Sequence, residues 1–509
     1  MKQFKDMYPV KTNGQLTMFD RIIFKGHLTG VYPVSRFASI MYNHGVLLKE
    51  FKEFSEESTK ELKEHLQQMA DAAGRPLIYL PSGRGKKGES KEELARQLAI
   101  DEGVDAGLIA IYYTLEMQNV LTVRRGQLVS EKRKHLHYYL YFNDEEFGLM
   151  FVRIQSWWPF TIHIYINGHE WLSRRLQAAE IGYEGDGNYF YKIDDLERAQ
   201  KLCDKFAHRQ WERVWNAFAK RISPRLALLQ EWTGQGYYWT VEQAEIATDI
   251  MFQQESDLEE MMPALLQEMF LTQSAEDVMR FLQNKLSSQF HGEVKTNLRR
   301  YHEGWRVKHW ADRNSIKMYN HGRTLRIETT INNAGSFKIP NAKGKKPRWK
   351  RMPKGVSYFW HFRNVGAEAN QRYIDALCDM TYQGKAAIDA LDSLCQPHEH
   401  QGRHVAKFQP VTEQTCRVFA VVLQGTFILH GFRNRDLRLA LFGELATDEK
   451  VAQRRRAAVS RLLVKLRGHG LIEKVAHSHL YRVTSLGFRT MAAAIRYRYV
   501  DYPVAFASV

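Results

Sequence analysis

The chain has 509 residues, of which 44% are hydrophobic and 12% aromatic. This composition excludes an intrinsically disordered chain, and the length exceeds what one core serves, so roughly two to four domains are expected. A formal net charge of +16 favours a polyanionic partner through phosphate neutralisation, although a ribosomal or membrane-surface role would need the same sign.

No uninterrupted apolar stretch approaches the ~18–20 residues of a membrane span. The N-terminus, MKQFKDMYPVKTNGQ, lacks the apolar core of a signal peptide. Cys203, Cys378, Cys395 and Cys416 are scattered without paired spacing, as in a reduced compartment. These features place the protein in the cytoplasm of a prokaryote-like cell. The expected partner is DNA, with RNA as the alternative and no membrane; a homo-oligomer is compatible with the sequence.

In chain order, FDRIIFKGHL (19–28) reads as a strand and 51–74 as an amphipathic helix stopped by Gly74. RPLIYLPS is a short strand, SKEELARQLAI a helix and DAGLIAIYYTLE a buried strand. NVLTVRRG, KHLHYYLYF, FGLMFVRIQSW and FTIHIYING follow as β segments, then HEWLSRRLQAA as a helix and 195–222 as one further helix. From 223 to 290 the pattern reads as helical, with Thr240-x-x-Gln243 as a capping box that starts a helix near Val241. Residues 291–360 turn β-like around a basic loop, 365–394 are helical, and CQPHEHQGRH (395–404) reads as a linker.

The last hundred residues give three helices, TEQTCRVFAVVLQG, NRDLRLALFG and DEKVAQRRRAAVSRLLVKLRGHG, then two short strands, LIEKV and HLYRVT. That is the order of a winged helix-turn-helix, whose third helix enters the major groove. Its polar face carries Arg454, Arg455, Arg456, Ser460, Arg461 and Lys465, with His477 at the wing tip. A helical bundle with a solvated basic face is the alternative.

Several motifs bear on chemistry. GRGKKGES (83–90) has the context of a phosphate-binding loop, but Glu89 stands where the lysine belongs, and Ser90-x-x-Glu93 reads better as a capping box. His135 and His137 share one strand face, the geometry in which two histidines hold a divalent ion beside a nucleophilic tyrosine; two ordinary strand histidines read the same way. Glu242, Glu245 and Asp249 fall at i, i+3 and i+7, one face of the expected helix. Such a face is either solvated or neutralised by Mg2+ or Mn2+ for phosphoryl transfer. Asp20 and Glu116, near strand ends, are candidates to complete the cluster. Cys395, His398, His400 and His404 are zinc-type ligands crowded into one run, and a linker explains them as well. In the basic loop, Lys343, Lys345, Lys346, Arg348, Lys350, Arg351 and Lys354 surround Trp349. The cations suit phosphates and the indole suits an exposed base.

SIKMYNHGRTLRIETTINN, 315–333, reads as a hairpin turning at NHGR. It places Lys317 with Tyr319 on one strand face and Arg326 with Glu328 on the next. A buried Glu328 needs a cation beside it, so cross-strand ion pairing and a phosphate-handling site both fit. The stretch resembles the Lys-x-Tyr…Arg-x-Glu segment of plasmid and phage rolling-circle replication initiators, with His321 where that family carries a lysine. FDRIIFKGHL, SWWPFTIHIYINGHEW, WTVEQAEIATDIMF, IKMYNHGRTLRIETTINN and HGFRNRDLRLALF together resemble a bacterial family of hypothetical proteins. That resemblance implies no particular activity, and its association with several copies per genome suits a mobile element.

The sequence therefore reads as an α/β (or α+β) multidomain body with a C-terminal winged helix-turn-helix domain. The expected divisions are a mixed α/β domain over 1–222, a helical segment over 223–290, and a hairpin-and-helix domain over 291–394 with its basic loop at 341–355. A linker over 395–410 and a DNA-binding domain over 411–509 follow. The expected function is metal-dependent DNA processing of the mobile-element type (nuclease, transposase or replication initiator). Catalysis is assigned to Asp20, Glu116, Glu245, Asp249, Tyr319 and Glu328, and metal binding to Glu245, Asp249, His135 and His137. Nucleic-acid contacts are assigned to the basic loop and to Arg454, Arg455, Arg461 and Lys465. The alternative is a non-catalytic DNA- or RNA-binding protein, either a regulator or part of a ribonucleoprotein.

Overall fold

Along β1 (Thr12–Leu28), Ile22, Phe24, Gly26 and Leu28 are buried while Ile23, Lys25 and His27 are only partly so. Such alternation marks a sheet with one face packed and the other polar. The computed structural model describes residues 11–81, 90–267, 269–270, 273–284, 292–302, 304–341, 348–400, 402–443, 448–476 and 478–507. The chain divides into two units, Met1–Leu377 and Cys378–Val509.

In the first unit the strands are β2 (Leu77–Tyr79), β3 (Gly107–Arg124), β4 (Gln127–Asp144), β5 (Gly148–Gln155) and β6 (Ile162–Asn167). A separate hairpin of β7 (Tyr183–Asp186) and β8 (Tyr189–Ile193) precedes β9 (Tyr237–Phe252). Then come β10 (Val294–Tyr301), β11 (Gly304–Ala311), β12 (Asn314–His321) and β13 (Thr324–Ile331). Eleven of them form one sheet in the order β10-β11-β12-β13-β9-β1-β6-β5-β4-β3-β2. All neighbours are antiparallel except β2 and β3. The protein is thus mixed α/β, and its sheet runs unbroken across residues 222 and 290 because β9 pairs with both β1 and β13.

That pairing corrects the expected helix from Val241. Glu242, Glu245 and Asp249 lie on strand β9, and Thr240-x-x-Gln243 caps nothing. The β-branched Ile246, Thr248 and Ile250 alternate with Glu245, Ala247 and Asp249, a period of two that the tertiary context enforces. The expected helix over 195–222 is likewise two helices, Leu196–Ala207 and Trp211–Ile222. The Ser90–Glu93 capping box is present, with Glu93 N donating to Ser90 Oγ at 3.1 Å, whereas GRGKKGE before it lies outside the described residues.

The packed face of the sheet is covered by aromatic side chains. Phe19 stacks on Phe359 at 4.2 Å, and Phe24 meets Trp215 at 5.0 Å. Helix Phe359–Leu394 approaches β9 so closely that a Cβ on Gly366 would stand 2.7 Å from Ile246. From the same helix the buried Asn370 donates to the Ile246 carbonyl at 2.9 Å and accepts from Thr329 at 2.7 Å. These bonds satisfy polar groups that would be costly if left alone.

The second unit contains a hairpin of His398–His400 with Arg403–Val405, where the sequence suggested a linker. Helices Glu413–Val422, Gly425–His430, Asn434–Phe442 and Glu449–Gly468 follow, then strands Ile472–Lys474 and Tyr481–Val483, and helix Ser485–Arg496. Its core gathers Phe419, Val422, Phe432, Leu437, Val459, Leu463 and Leu471. Gly487 is required there, since a Cβ would stand 1.9 Å from the Leu471 carbonyl oxygen. Among the described residues, no helix is long and apolar enough to cross a membrane.

Candidate functional site

On β12 and β13 the register pairs Lys317 with Glu328 and Tyr319 with Arg326. On the other side of β13, Arg326 pairs with Asp249 and Thr330 with Glu245. The period of two then puts Lys317, Tyr319, Arg326, Glu328, Glu245 and Asp249 on one face, opposite the face that meets Asn370. Strand β1 adds to this face through a bulge. Phe19 pairs with Ile246 and Ile22 with Ala244, so Asp20 and Arg21 together oppose Glu245. Because Phe19 and Ile22 both point into the packed layer, the two residues between them both serve the polar face, a re-aiming typical of bulges near functional sites.

Arg326 organises the buried side of the cluster. Its Nε and Nη2 donate to the two Asp249 oxygens at 2.6 and 2.8 Å, and Nη1 donates to Asp20 Oδ2 at 3.3 Å. Nη2 also donates to the Asn188 carbonyl at 2.6 Å, and the guanidinium lies 4.5 Å from the Tyr189 ring centroid. Asn188, between β7 and β8, donates to Asp20 Oδ1 at 2.8 Å and is itself held by Asn167 at 2.9 Å. Asp249 is therefore the bidentate partner of Arg326.

A second group forms beside it. Asp20, Glu245 and Glu328 each offer a carboxylate oxygen, and these oxygens lie within 4.8 Å of one another. Asp20 and Glu328 are buried, while Glu245 is partly exposed. Tyr319 Oη donates to Glu328 Oε2 at 2.7 Å. The other oxygen, Oε1, lies 2.7 Å from Lys317 Nζ, an ion-pair distance, yet it accepts no aligned hydrogen bond. These clustered hard oxygen donors could hold Mg2+ or Mn2+, with the Lys317 ammonium already beside Glu328.

The protonation pattern follows from burial and charge. Burial pushes the Glu245 carboxyl up to about 8, with Glu328 and Asp20 adding to the push and Lys317 and Arg21 opposing it. For Asp20 the desolvation penalty is outweighed by Arg326 and the Asn188 hydrogen bond, so its carboxyl stays below the ordinary range. Burial presses Asp249 upward against the pull of Arg326. Lys317, despite burial, is held above the ordinary range by Glu328 and Glu245, and burial together with Glu328 raises the Tyr319 hydroxyl well above its usual value. Without an ion, a proton on Glu245 relieves the repulsion between the carboxylates.

The other sequence-derived candidates lie elsewhere. Glu116, on β3, accepts from Arg153 at 2.6 Å and from Tyr139 Oη, with Lys91 Nζ at 3.6 Å. His135 and His137 share β4, with His137 Nδ1 3.1 Å from the His135 carbonyl oxygen and Nε2 without a hydrogen-bond partner among the described residues. Among the described residues, the three-ligand group contains neither histidine, nor Glu116. In the basic loop, Lys343, Lys345 and Lys346 lie outside the described residues. Arg348–Arg351 pairs with Lys338–Asn341; Trp349 is 62% exposed, Arg351 is exposed, and Lys350 sits 4.8 Å from the Tyr358 ring. On helix Glu449–Gly468, Arg454, Arg456 and Arg461 are exposed. Arg455 instead packs over Phe442 at 4.9 Å and Lys465 over Phe408 at 3.9 Å. His477 lies outside the described residues. Sequence reasoning missed Arg21, Asn167 and Asn188, which only the bulge and the β7–β8 hairpin bring to the cluster.

No family model and no curated protein matches the chain. Among solved structures, a rolling-circle replication initiator protein from Geobacillus stearothermophilus is similar over 70% of this chain and 97% of its own, at 9% identity and a TM-score of 0.18. A likeness at that level transfers neither fold nor function.

Proposed function

We propose that this chain is a metal-dependent DNA-processing protein of the mobile-element type, a nuclease, transposase or replication initiator. The observation that carries the reading is the gathering of Asp20, Glu245 and Glu328, one carboxylate oxygen of each within 4.8 Å of the others, with the Lys317 ammonium 2.7 Å from Glu328 Oε1. A divalent ion held there would polarise a phosphodiester and stabilise the charge that develops on it. Glu328 Oε1 is paired with Lys317, and Oε2 accepts the hydrogen bond of Tyr319. On that reading Tyr319 Oη attacks phosphorus as its proton passes to Oε2. The phosphorus–oxygen bond to the sugar breaks, the sugar oxygen leaves as an alkoxide that takes a proton from solvent, and a phosphotyrosine ester forms, with Lys317 and Arg21 offsetting the negative charge. Activated water is the competing nucleophile. The test incubates the full chain with single- and double-stranded DNA and Mg2+ or Mn2+. Strand cleavage should disappear in Asp20→Asn and Glu328→Gln, and a denaturant-resistant protein–DNA adduct should disappear in Tyr319→Phe. Cleavage without an adduct assigns the attack to water.

The second reading, binding without catalysis, is favoured by the C-terminal unit. Helix Asn434–Phe442, helix Glu449–Gly468 and a hairpin follow in winged-helix order, and Phe432 bridges to Tyr481 with backbone hydrogen bonds of 2.9 and 2.8 Å. The exposed Arg454, Arg456 and Arg461 suit the phosphate backbone of DNA, or of RNA. A folded protein that binds DNA and cleaves none of these substrates, with either ion, leaves this reading standing.

A further inference from the structure

The polar face of the sheet continues along β1 beyond the triad. Lys25 lies four residue steps beyond Arg21, about 13 Å of strand, and there a cavity of about 610 Å³ opens. Lys25 and His27 from β1, Tyr238 and Thr240 from the paired end of β9, and Gln118 and Asn119 from β3 line it, with Tyr32 at its edge. Its size falls within the range of small-ligand sites, roughly 300–1,000 Å³. Its chemistry is specific. Among the described residues none of the lining groups is a carboxylate, although Glu242 lies near enough to act on His27; Lys25 makes no ion pair among the described residues, and Tyr32 and Tyr238 expose 40% and 48% of their surface. An ammonium, two tyrosine rings and a side-chain amide are the groups that hold a phosphate, stack on a base and bond to its edge.

We propose that this cavity is a nucleotide subsite, which seats one unit of a single-stranded polynucleotide a few nucleotides from the phosphate that the acidic triad addresses. Lys25 meets the backbone phosphate, Tyr238 and Tyr32 stack on the base, and Gln118 or Asn119 contacts its edge. Burial and the adjacent Lys25 lower His27 to about 4, so it faces the occupant as a neutral imidazole. The inference rests on the proposed function for its direction, and assigns that function a single-stranded substrate.

The test uses the full chain and a fluorescein-labelled single-stranded oligonucleotide, in one DNA and one RNA arm, with anisotropy as the binding readout. Tyr238→Ala, Tyr32→Ala and Lys25→Gln should each weaken binding about tenfold, within the range for losing one stacked base or one phosphate contact. Tyr238→Phe, which keeps the ring, should bind as wild type does, and AMP should compete with wild type far better than with Tyr238→Ala. Manganese uptake by the triad, measured by calorimetry, should be unchanged in all four variants, which also controls for folding. Wild-type affinity in Tyr238→Ala and Lys25→Gln, with cleavage intact, overturns the subsite and leaves the proposed reaction. Tenfold losses in a protein that takes up no manganese remove the reaction and leave the subsite. The arm that binds more tightly identifies the sugar.

Discussion

Glu245 offers the most direct handle on the site. Its proton is retained to about pH 8, against an ordinary carboxylate value of about 4.3. The folded protein therefore binds a proton that the unfolded chain has already released. Stability falls as pH rises between those values, by up to about 1.4 kcal/mol per pH unit. From pH 6 to pH 8, metal-free wild type should lose up to about 3 kcal/mol relative to Glu245→Gln, whose amide keeps the shape without titrating. Urea unfolding of both proteins across that window measures the difference, because the other titrating groups cancel. The same proton must leave when a cation binds to the carboxylate. Manganese affinity should then rise about tenfold per pH unit below 8 and level off above it, and calorimetry in buffers of different ionisation enthalpy should count close to one proton released. In Glu245→Gln binding should be weaker and lose that slope. A wild-type affinity that is flat from pH 6 to pH 8, or a slope that persists in Glu245→Gln, would refute both the assigned ligand and the charge balance of the site.

Three further outcomes follow from the same geometry. Asp249→Asn should keep manganese affinity within a few-fold of wild type while Asp20→Asn lowers it severely, since Asp249 is committed to Arg326; equal losses in calorimetry would return Asp249 to the ligand set. Arg326→Met should destabilise the first unit by about 3–5 kcal/mol, because Asp249 and Asp20 are left buried and uncompensated; a change below about 1 kcal/mol in urea unfolding would contradict that account. Replacing Arg454 and Arg461 by Gln should reduce the salt slope of duplex binding by about 1.8, the counterion release of two phosphate contacts, whereas an unchanged slope in anisotropy titrations would remove helix Glu449–Gly468 from the interface.

The parts of the site legible in the sequence were local. Lys317, Tyr319, Arg326 and Glu328 could be placed on paired strands because NHGR supplies the turn and the period of two does the rest. Strand β9 was misread because Glu242, Glu245 and Asp249 also satisfy a helical spacing, and Ala247 interrupts the alternation between polar and apolar positions that would have revealed a strand. The pairing of Asp249 with Arg326 was equally invisible, since Arg326 lies 77 residues away. Asp20 could be flagged as a carboxylate near a strand end, but a bulge is a property of two strands together, and no residue in β1 announces it. The break between Leu196–Ala207 and Trp211–Ile222 carries neither glycine nor proline, so nothing local marks it. Arg455 and Lys465 looked equivalent to Arg454 and Arg461 because charge is visible in a sequence and an aromatic ring packed beneath it is not.

The strands that supply the triad are neighbours in space and strangers in the chain. Thr17 and Thr248, which bond across β1 and β9, are 231 residues apart, and Arg326 reaches Asp20 over 306. Such pairings form slowly, and a chain growing from the ribosome cannot make them early. Until β13 has been synthesised and has closed onto β9, Glu328 is missing from the triad and the guanidinium that holds Asp20 does not exist. A prematurely terminated product lacks the site altogether, and a nascent one acquires it only near the end of folding.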